Sequence, residues 1–124
     1  YDLLSQCRSD TLTLPDRDGF LSDYARRIRR GVGRSRLVRV DGADVASAMT
    51  TAQAPGLAVL GGIAVLPQQR ERGLATALIA SMTQELLQEG RQVLLATSGD
   101  RLTRFYKARG FAICGGWRRD RLEW

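Results

Sequence analysis

An apolar run, a short basic loop and an amphipathic segment follow one another in this chain, and this succession most constrains the fold. Residues 57–66 are almost entirely apolar and predict a buried strand. Residues 74–89 carry apolar side chains at helical spacing, and Gly73 separates them from Arg70 and Arg72. Since the first N–H groups of a helix lack partners and carry partial positive charge, this strand–loop–helix unit predicts an anion site.

The loop matches neither of the two common nucleotide-binding motifs. It has no G-x-x-x-x-G-K-[ST] pattern and no G-x-G-x-x-G pattern. Gly73 has no Cβ, so a bulky anion can approach the backbone, and the guanidinium groups of Arg70 and Arg72 suit phosphate geometry. The loop therefore predicts phosphate binding through backbone amides and arginines.

Composition is typical of one folded domain. The 124 residues, 44% hydrophobic and 26% charged, fit a single core. No apolar run approaches the roughly 20 residues that span a bilayer, and no signal peptide is visible, so we expect a cytoplasmic protein with no membrane partner. The two cysteines are far apart, which suits a reducing compartment, and Cys114 is expected to fill the core.

The charge of the chain favours anionic ligands without choosing among them. The net charge is +6, and arginine supplies every basic residue except Lys107. Four arginines cluster on a predicted helix at residues 26–30, where we expect a solvated face rather than a nucleic-acid arm. Histidine is absent, which excludes Ser-His and Cys-His catalysis and histidine metal sites.

The remaining elements predict an α/β fold with a mixed, mostly antiparallel central sheet flanked by helices. Helices are expected at residues 2–8 and from residue 18 or 19, and a hairpin over 36–40 and 45–52. Gly61-Gly62 predicts a bulge or a close backbone approach. Later residues predict a strand at 91–97, a helix at 101–109 that Asp100 would cap, and a terminal strand pair at 111–114 and 118–124.

Two motifs on these elements resemble those of the GNAT superfamily of N-acyltransferases, which bind acetyl-CoA. R-E-R-G-L-A at residues 70–75 is similar to the family's [RQ]-x-x-G-x-[GA] pyrophosphate loop, and F-Y-K-A-R-G-F at residues 105–111 is similar to its F-Y-x-x-x-G-F signature. The family's first strand has no counterpart here. We therefore expect a single GNAT-like domain over residues 1–124 without that strand, and the C-terminal part of a longer chain stays an alternative.

The resemblance implies an acetyl-CoA site beside the strand at 57–66, and it requires no metal. The sheet would splay open there, the pantetheine arm would lie in the split, and the loop would hold the pyrophosphate. Core packing is the alternative role for the side chains of Ile63 and Val65. The implied coenzyme-binding residues are Ile63, Ala64, Val65, Arg70, Glu71, Arg72, Gly73, Leu74 and Ala75.

The resemblance implies a catalytic role for Tyr106, which would protonate or hydrogen-bond the departing thiolate. That role requires a donor whose pKa exceeds that of the thiol, and a phenol meets this requirement. The alternative is an aromatic core residue, which is the role expected of Phe105 and Phe111. A general base is harder to find, because residues 57–66 contain no carboxylate; Asp44, Asp100 and Glu71 remain by elimination, beside a water chain.

The resemblance of both motifs implies an N-acetyltransferase that moves an acetyl group from acetyl-CoA to a primary amine by direct attack. One alternative is a non-catalytic acyl-CoA-binding regulatory module, which the missing carboxylate favours. Nucleic-acid binding ranks low, because aromatic residues are not interleaved with the arginines. The amine acceptor is not identified by the sequence, and Trp117 and Trp124 leave a homodimer open.

Overall fold

Four strands form one sheet in which the first three are antiparallel neighbours and the last is parallel. The computed structural model of the chain describes residues 1–7, 16–97 and 99–116. The predicted mixed, mostly antiparallel sheet is confirmed. In chain and spatial order the strands are β1 (Ser35–Val40), β2 (Ala43–Ala54), β3 (Leu57–Val65) and β4 (Gln92–Leu94).

Two helices precede the sheet in the chain, one connects β3 to β4 and one follows β4, which is the predicted order. One of them begins at Arg17, slightly earlier than expected, because the Asp16 carboxylate accepts a hydrogen bond from the Gly19 amide at 3.0 Å and caps it. A short 3-10 turn, Pro67–Gln69, lies between β3 and the long helix. In chain order the α-helices of the described residues are α1 (Asp2–Gln6), α2 (Arg17–Arg29), α3 (Leu74–Gln88) and α4 (Asp100–Lys107).

The core forms where α3 lies on the sheet. Its buried side chains are those of Leu78, Ile79, Met82 and Leu86, and most of them pack against the alanines and Leu60 of β2 and β3. On the other side of β2, Val45 packs with Leu3 of α1. Because successive strand residues point to opposite faces, α1 and α3 cover opposite faces of the sheet.

The arginine cluster of α2 lies at the surface. Arg26 and Arg27 pair with Asp23 at 2.7 and 3.0 Å, and Arg29 and Arg30 are exposed. In addition, no helix among the described residues is long and apolar enough to cross a bilayer.

Two predictions near the C-terminus are wrong, and a third is wrong in its extent. Cys114 is exposed rather than buried, and residues 111–114 do not form a strand. Strand β4 is shorter than expected, because residues 95–97 lie outside it. The apolar residues of these segments predict strands, but a strand also needs a hydrogen-bonded neighbour. The predicted strand at 118–124, together with Trp117, lies outside the described residues.

Candidate functional site

The sheet opens along one side of β3. β3 and β4 pair over three positions, Leu57–Gln92, Ala58–Val93 and Val59–Leu94. β3 continues to Val65, so its residues 60–65 have no strand beside them on the β4 side within the described part of the chain. Unpaired backbone N–H and C=O groups there are available to an extended polar ligand.

A bulge lies in this open stretch of β3. The pairing steps from Ser47–Ala64 to Met49–Gly61, so three steps along β3 face two along β2. Gly62 has a φ of 56°, and its carbonyl accepts a hydrogen bond from Ser47 Oγ at 2.7 Å. A Cβ on Gly62 would lie 2.8 Å from Met49 Cγ, so glycine is required here. The bulge expected at Gly61-Gly62 is confirmed.

The backbone of the loop presents free amides at the start of α3. Gly73 is the N-cap, with a φ of 75°, and no side chain caps this end. The first bonded amide is that of Ala77, which donates to the Gly73 carbonyl at 3.0 Å. The amides of residues 74–76 thus have no acceptor among the described residues, and the first turn carries no acidic side chain. This end of α3 attracts anions.

The two loop arginines differ in their contacts. Arg70 Nε donates to the Val65 carbonyl at 3.1 Å, which ties the loop to the end of β3. Arg72 is exposed, and no acceptor among the described residues contacts its guanidinium. Glu71 between them is also exposed, with a φ of 65°. Arg70 therefore shapes the loop, whereas Arg72 is free to reach a ligand.

The other residues of the implied coenzyme site lie on the core side of this region. Ala64 is buried and pairs with Ser47 of β2. Ile63, Val65 and Leu74 are half-buried and pack against the core under α3. Their side chains therefore stabilise the fold, while their backbone atoms line the open edge of β3 and the start of α3. Ala75 is half-buried in the first turn.

Tyr106 lies on α4 within an aromatic cluster. Its ring meets Phe105 edge-on at a centroid distance of 5.1 Å and Phe111 at 5.8 Å. Burial raises the pKa of the Tyr106 phenol above 10.0, and the Arg109 charge offsets part of that increase. The hydroxyl has no hydrogen-bond partner among the described residues. Tyr106 is therefore protonated at neutral pH and able to donate.

None of the three carboxylates considered as bases is buried. Arg39 Nε holds the Asp44 carboxylate at 3.0 Å, and Glu71 and Asp100 are exposed. The prediction that Asp100 caps α4 is wrong, because Gly99 is the N-cap and Asp100 is the first helical residue. Ser98, which precedes them, lies outside the described residues. The described side chains also include no group of three carboxylates or thiols that could hold a metal ion.

A groove of about 770 Å³ separates α3 from the segment that follows α4. Polar residues of α3 line it, and Thr83 Oγ1 is buried there without a partner among the described residues. Arg109 lies on the opposite wall and contacts Thr76, a connection that no sequence pattern indicated. These polar lining residues of α3 are Thr76, Thr83, Gln84 and Gln88.

Comparison with known proteins gives one family match and many structural matches. Residues 36–119 match the model of the family described as FR47-like protein. A search of curated proteins gives no significant match. Among solved structures, an acetyltransferase from Trypanosoma brucei is 25% identical, with a TM-score of 0.71, over 99% of this chain and 89% of that one.

Two further solved structures share the fold at lower identity. Glucosamine-6-phosphate N-acetyltransferase from Arabidopsis thaliana is 15% identical, with a TM-score of 0.77, over 98% of this chain and 88% of that one. The aminoglycoside N-acetyltransferase AAC(6')-Iy, in complex with the bisubstrate analog CoA-S-monomethyl-acetylneamine, is 24% identical, with a TM-score of 0.71, over 87% of this chain and 81% of that one.

Proposed function

The chain belongs to the FR47-like family within the GNAT superfamily, and on that premise we propose that it is an acetyl-CoA-dependent N-acetyltransferase. It moves the acetyl group to a primary amine by direct attack on the thioester. The proposal rests on one observation: the open edge of β3 is followed in the chain by the loop and by the first turn of α3, which no side chain caps. Acetyltransferases among the solved structures of the same fold support it.

The open edge and the loop suit the two parts of the coenzyme. The pantetheine arm carries amide groups, which bond to those backbone groups of Ile63, Ala64 and Val65 that β2 and Arg70 leave unpaired. The pyrophosphate is an anion, which the amides of residues 74–76 and the free guanidinium of Arg72 hold. Gly73 leaves room for it, because a Cβ there would meet no atom within 4 Å.

Tyr106 supplies the proton in the proposed reaction. As the amine nitrogen attacks the thioester carbon, a tetrahedral intermediate forms. Its collapse breaks the C–S bond, and the Tyr106 hydroxyl protonates the departing sulfur. The raised pKa of Tyr106 suits this role, because the phenol stays protonated until the thiolate forms beside it.

The proton of the attacking amine passes to solvent in this proposal. Asp44 is paired with Arg39, and Glu71 and Asp100 lie in solvent, so none of these carboxylates is committed to the amine. The rate is then expected to rise with pH until the acceptor amine is deprotonated. The same lack of a placed carboxylate favours the second candidate function, a non-catalytic acyl-CoA-binding module.

Calorimetric titration with acetyl-CoA tests the coenzyme site. Arg72→Ala is expected to weaken binding about tenfold, because it removes a charge-assisted contact to phosphate. Arg70→Ala is expected to weaken it less and to lower the melting temperature, because Arg70 holds the end of β3. Arg29→Ala is the matched control: it removes an exposed arginine of α2, and affinity should stay unchanged. Equal losses for Arg72→Ala and Arg29→Ala would show only a general charge effect.

Release of free coenzyme A over a panel of primary amines separates the two candidate functions. An acetyltransferase releases thiol with at least one acceptor and forms the acetylated amine, which mass spectrometry detects. Tight acetyl-CoA binding without thiol release on any amine would establish the non-catalytic module. A folded protein that does not bind acetyl-CoA would contradict both.

A further inference from the structure

The guanidinium of Arg109 joins three groups of the two motif-bearing segments. Its Nε donates to Thr76 Oγ1 at 2.7 Å, and one terminal nitrogen donates to the Phe105 carbonyl at 2.8 Å. Its central carbon lies 3.5 Å from the centroid of the Phe105 ring, a cation–π contact. Arginine suits all three at once, because its planar fork both donates and stacks.

The two residues that Arg109 contacts lie in two different parts of the proposed site. Thr76 belongs to the first turn of α3, where the amides are free. Phe105 is the neighbour of Tyr106 on α4, and the two rings are in edge contact. Arg109 therefore connects the anion-attracting end of α3 to the segment that carries the acid.

Few other contacts hold α4 in this place; one is the hydrogen bond of 2.9 Å between the Thr103 and Thr97 hydroxyls. α4 has no buried residue, and Leu102 on it is 37% exposed. Among the described residues, the bond from Arg109 to Thr76 is the one side-chain hydrogen bond between the α4 segment and α3. An element with few apolar contacts depends on such polar contacts for its position.

We propose that Arg109 is a positioning residue, which fixes Tyr106 relative to the phosphate-binding turn of α3. This inference rests on the proposed acetyltransferase function. Arg109 acts through Phe105 and Thr76 and does not itself contact the reacting atoms. A displacement of the acid by about 1 Å can lower a rate by as much as about a hundredfold, so a contact of this kind affects kcat more than binding.

The charge of Arg109 gives a second, independent readout. It stabilises the phenolate of Tyr106 and so lowers the pKa of that phenol, against the effect of burial. Among the described residues, Arg109 is the charged group that acts on this pKa. Removing the charge raises the pKa further. Since a general acid is active when protonated, the high-pH decline of kcat then moves to higher pH.

Steady-state kinetics and acetyl-CoA titration on four variants test the proposal. Arg109→Gln is expected to lower kcat about tenfold or more, to change the Kd for acetyl-CoA less than threefold, and to move the high-pH decline of kcat upward. Arg109→Lys keeps the charge but not the fork, so kcat falls while the decline stays in place. Thr76→Val removes one anchor and gives a smaller loss of kcat. Arg104→Gln, which removes an exposed arginine of α4, is the matched control and keeps wild-type values.

Three results would overturn the proposal. One is a tenfold rise in Kd with unchanged kcat for Arg109→Gln, which would make Arg109 a phosphate ligand. Another is an equal loss of kcat for Arg104→Gln. The third is a melting temperature of Arg109→Gln so low that loss of folded protein explains the loss of rate.

An inactive wild-type protein would contradict the proposed function. The effect of Arg109 on Tyr106 can be measured without activity. Tyrosinate absorbance, measured against Tyr106→Phe, reports the pKa of the Tyr106 phenol without turnover. A higher pKa in Arg109→Gln supports the proposed placement of the Arg109 charge beside Tyr106, and an unchanged pKa overturns it.

Discussion

The helices α3 and α4 begin alike but are held in different ways. Each follows a glycine with positive φ, Gly73 at 75° and Gly99 at 87°, and neither has a side-chain cap. α3 buries four side chains and lies on three strands, whereas α4 buries none. The loop proposed to bind the pyrophosphate leads into α3, and the F-Y-K-A-R-G-F motif lies on and just after α4.

In the proposed enzyme, the well-packed helix α3 serves coenzyme binding and the exposed helix α4 serves the chemical step. A phosphate site needs amides in fixed directions, and the core under α3 fixes them. The acid needs a position that a few polar and aromatic contacts set. Substitutions under α3 should therefore affect stability first, and substitutions on α4 should affect the rate first.

The largest expected effect is on the folding of the domain. Met82 is fully buried under α3, so Met82→Ala should lower the free energy of unfolding by about 2–5 kcal/mol. Leu102→Ala on α4, the comparison variant, should cost less than about 1 kcal/mol because Leu102 is partly exposed. Urea unfolding measures both. Equal costs would show that α4 is as much a part of the core as α3.

The next effect is on turnover. Tyr106→Phe should lower kcat about a hundredfold, because proton transfer by a positioned group contributes roughly that factor. The ring and its contacts with Phe105 and Phe111 remain, so the melting temperature should stay near that of the wild type. Steady-state kinetics and thermal unfolding measure the two quantities. Unchanged kcat would remove Tyr106 from the mechanism.

A smaller effect is expected at the start of α3. Gly73→Ala places a Cβ in the left-handed region, which costs about 1–2 kcal/mol, and directs that Cβ into the space proposed for the pyrophosphate. Gly56→Ala is the matched control, because Gly56 has a φ of 76° and equally open space in the β2–β3 turn. Both variants should lose similar stability, and only Gly73→Ala should bind acetyl-CoA more weakly. Calorimetric titration measures the affinity of both variants for acetyl-CoA. Weaker binding by Gly56→Ala as well would show that the loss in Gly73→Ala is indirect.

The smallest effect concerns the far end of α3. Arg34 and Arg91 hold the Glu89 carboxylate and lower its pKa from 4.5 to about 2. A lowered folded-state pKa gives stability that is present above about pH 4.5 and is lost as the pH falls toward 2. Glu89→Gln should therefore show a slightly shallower loss of stability in that range than the wild type. An acid titration of the melting temperature of both proteins measures the two slopes.

Most of the elements could be predicted from the sequence, because their signals are local. The hairpin of β1 and β2, the bulge at Gly61-Gly62 and the helix after Gly73 follow from backbone preferences and apolar spacing. The predictions of a strand at residues 111–114 and of a buried Cys114 are wrong, because neither property has a local signal. Strand formation and burial both depend on neighbours that are distant in the sequence, and the hydrophobicity of the segment does not identify those neighbours.

The sequence by itself determined the family, the position of the loop at the start of a helix and the identity of the candidate acid. These properties depend on residue type and short spacing. Only the tertiary structure decided where β3 loses its neighbour, that Arg70 is engaged while Arg72 is free, and that Arg109 joins Thr76 to Phe105. The physical reason is that hydrogen bonds and burial depend on distances between atoms, and folding sets those distances among residues far apart in the chain.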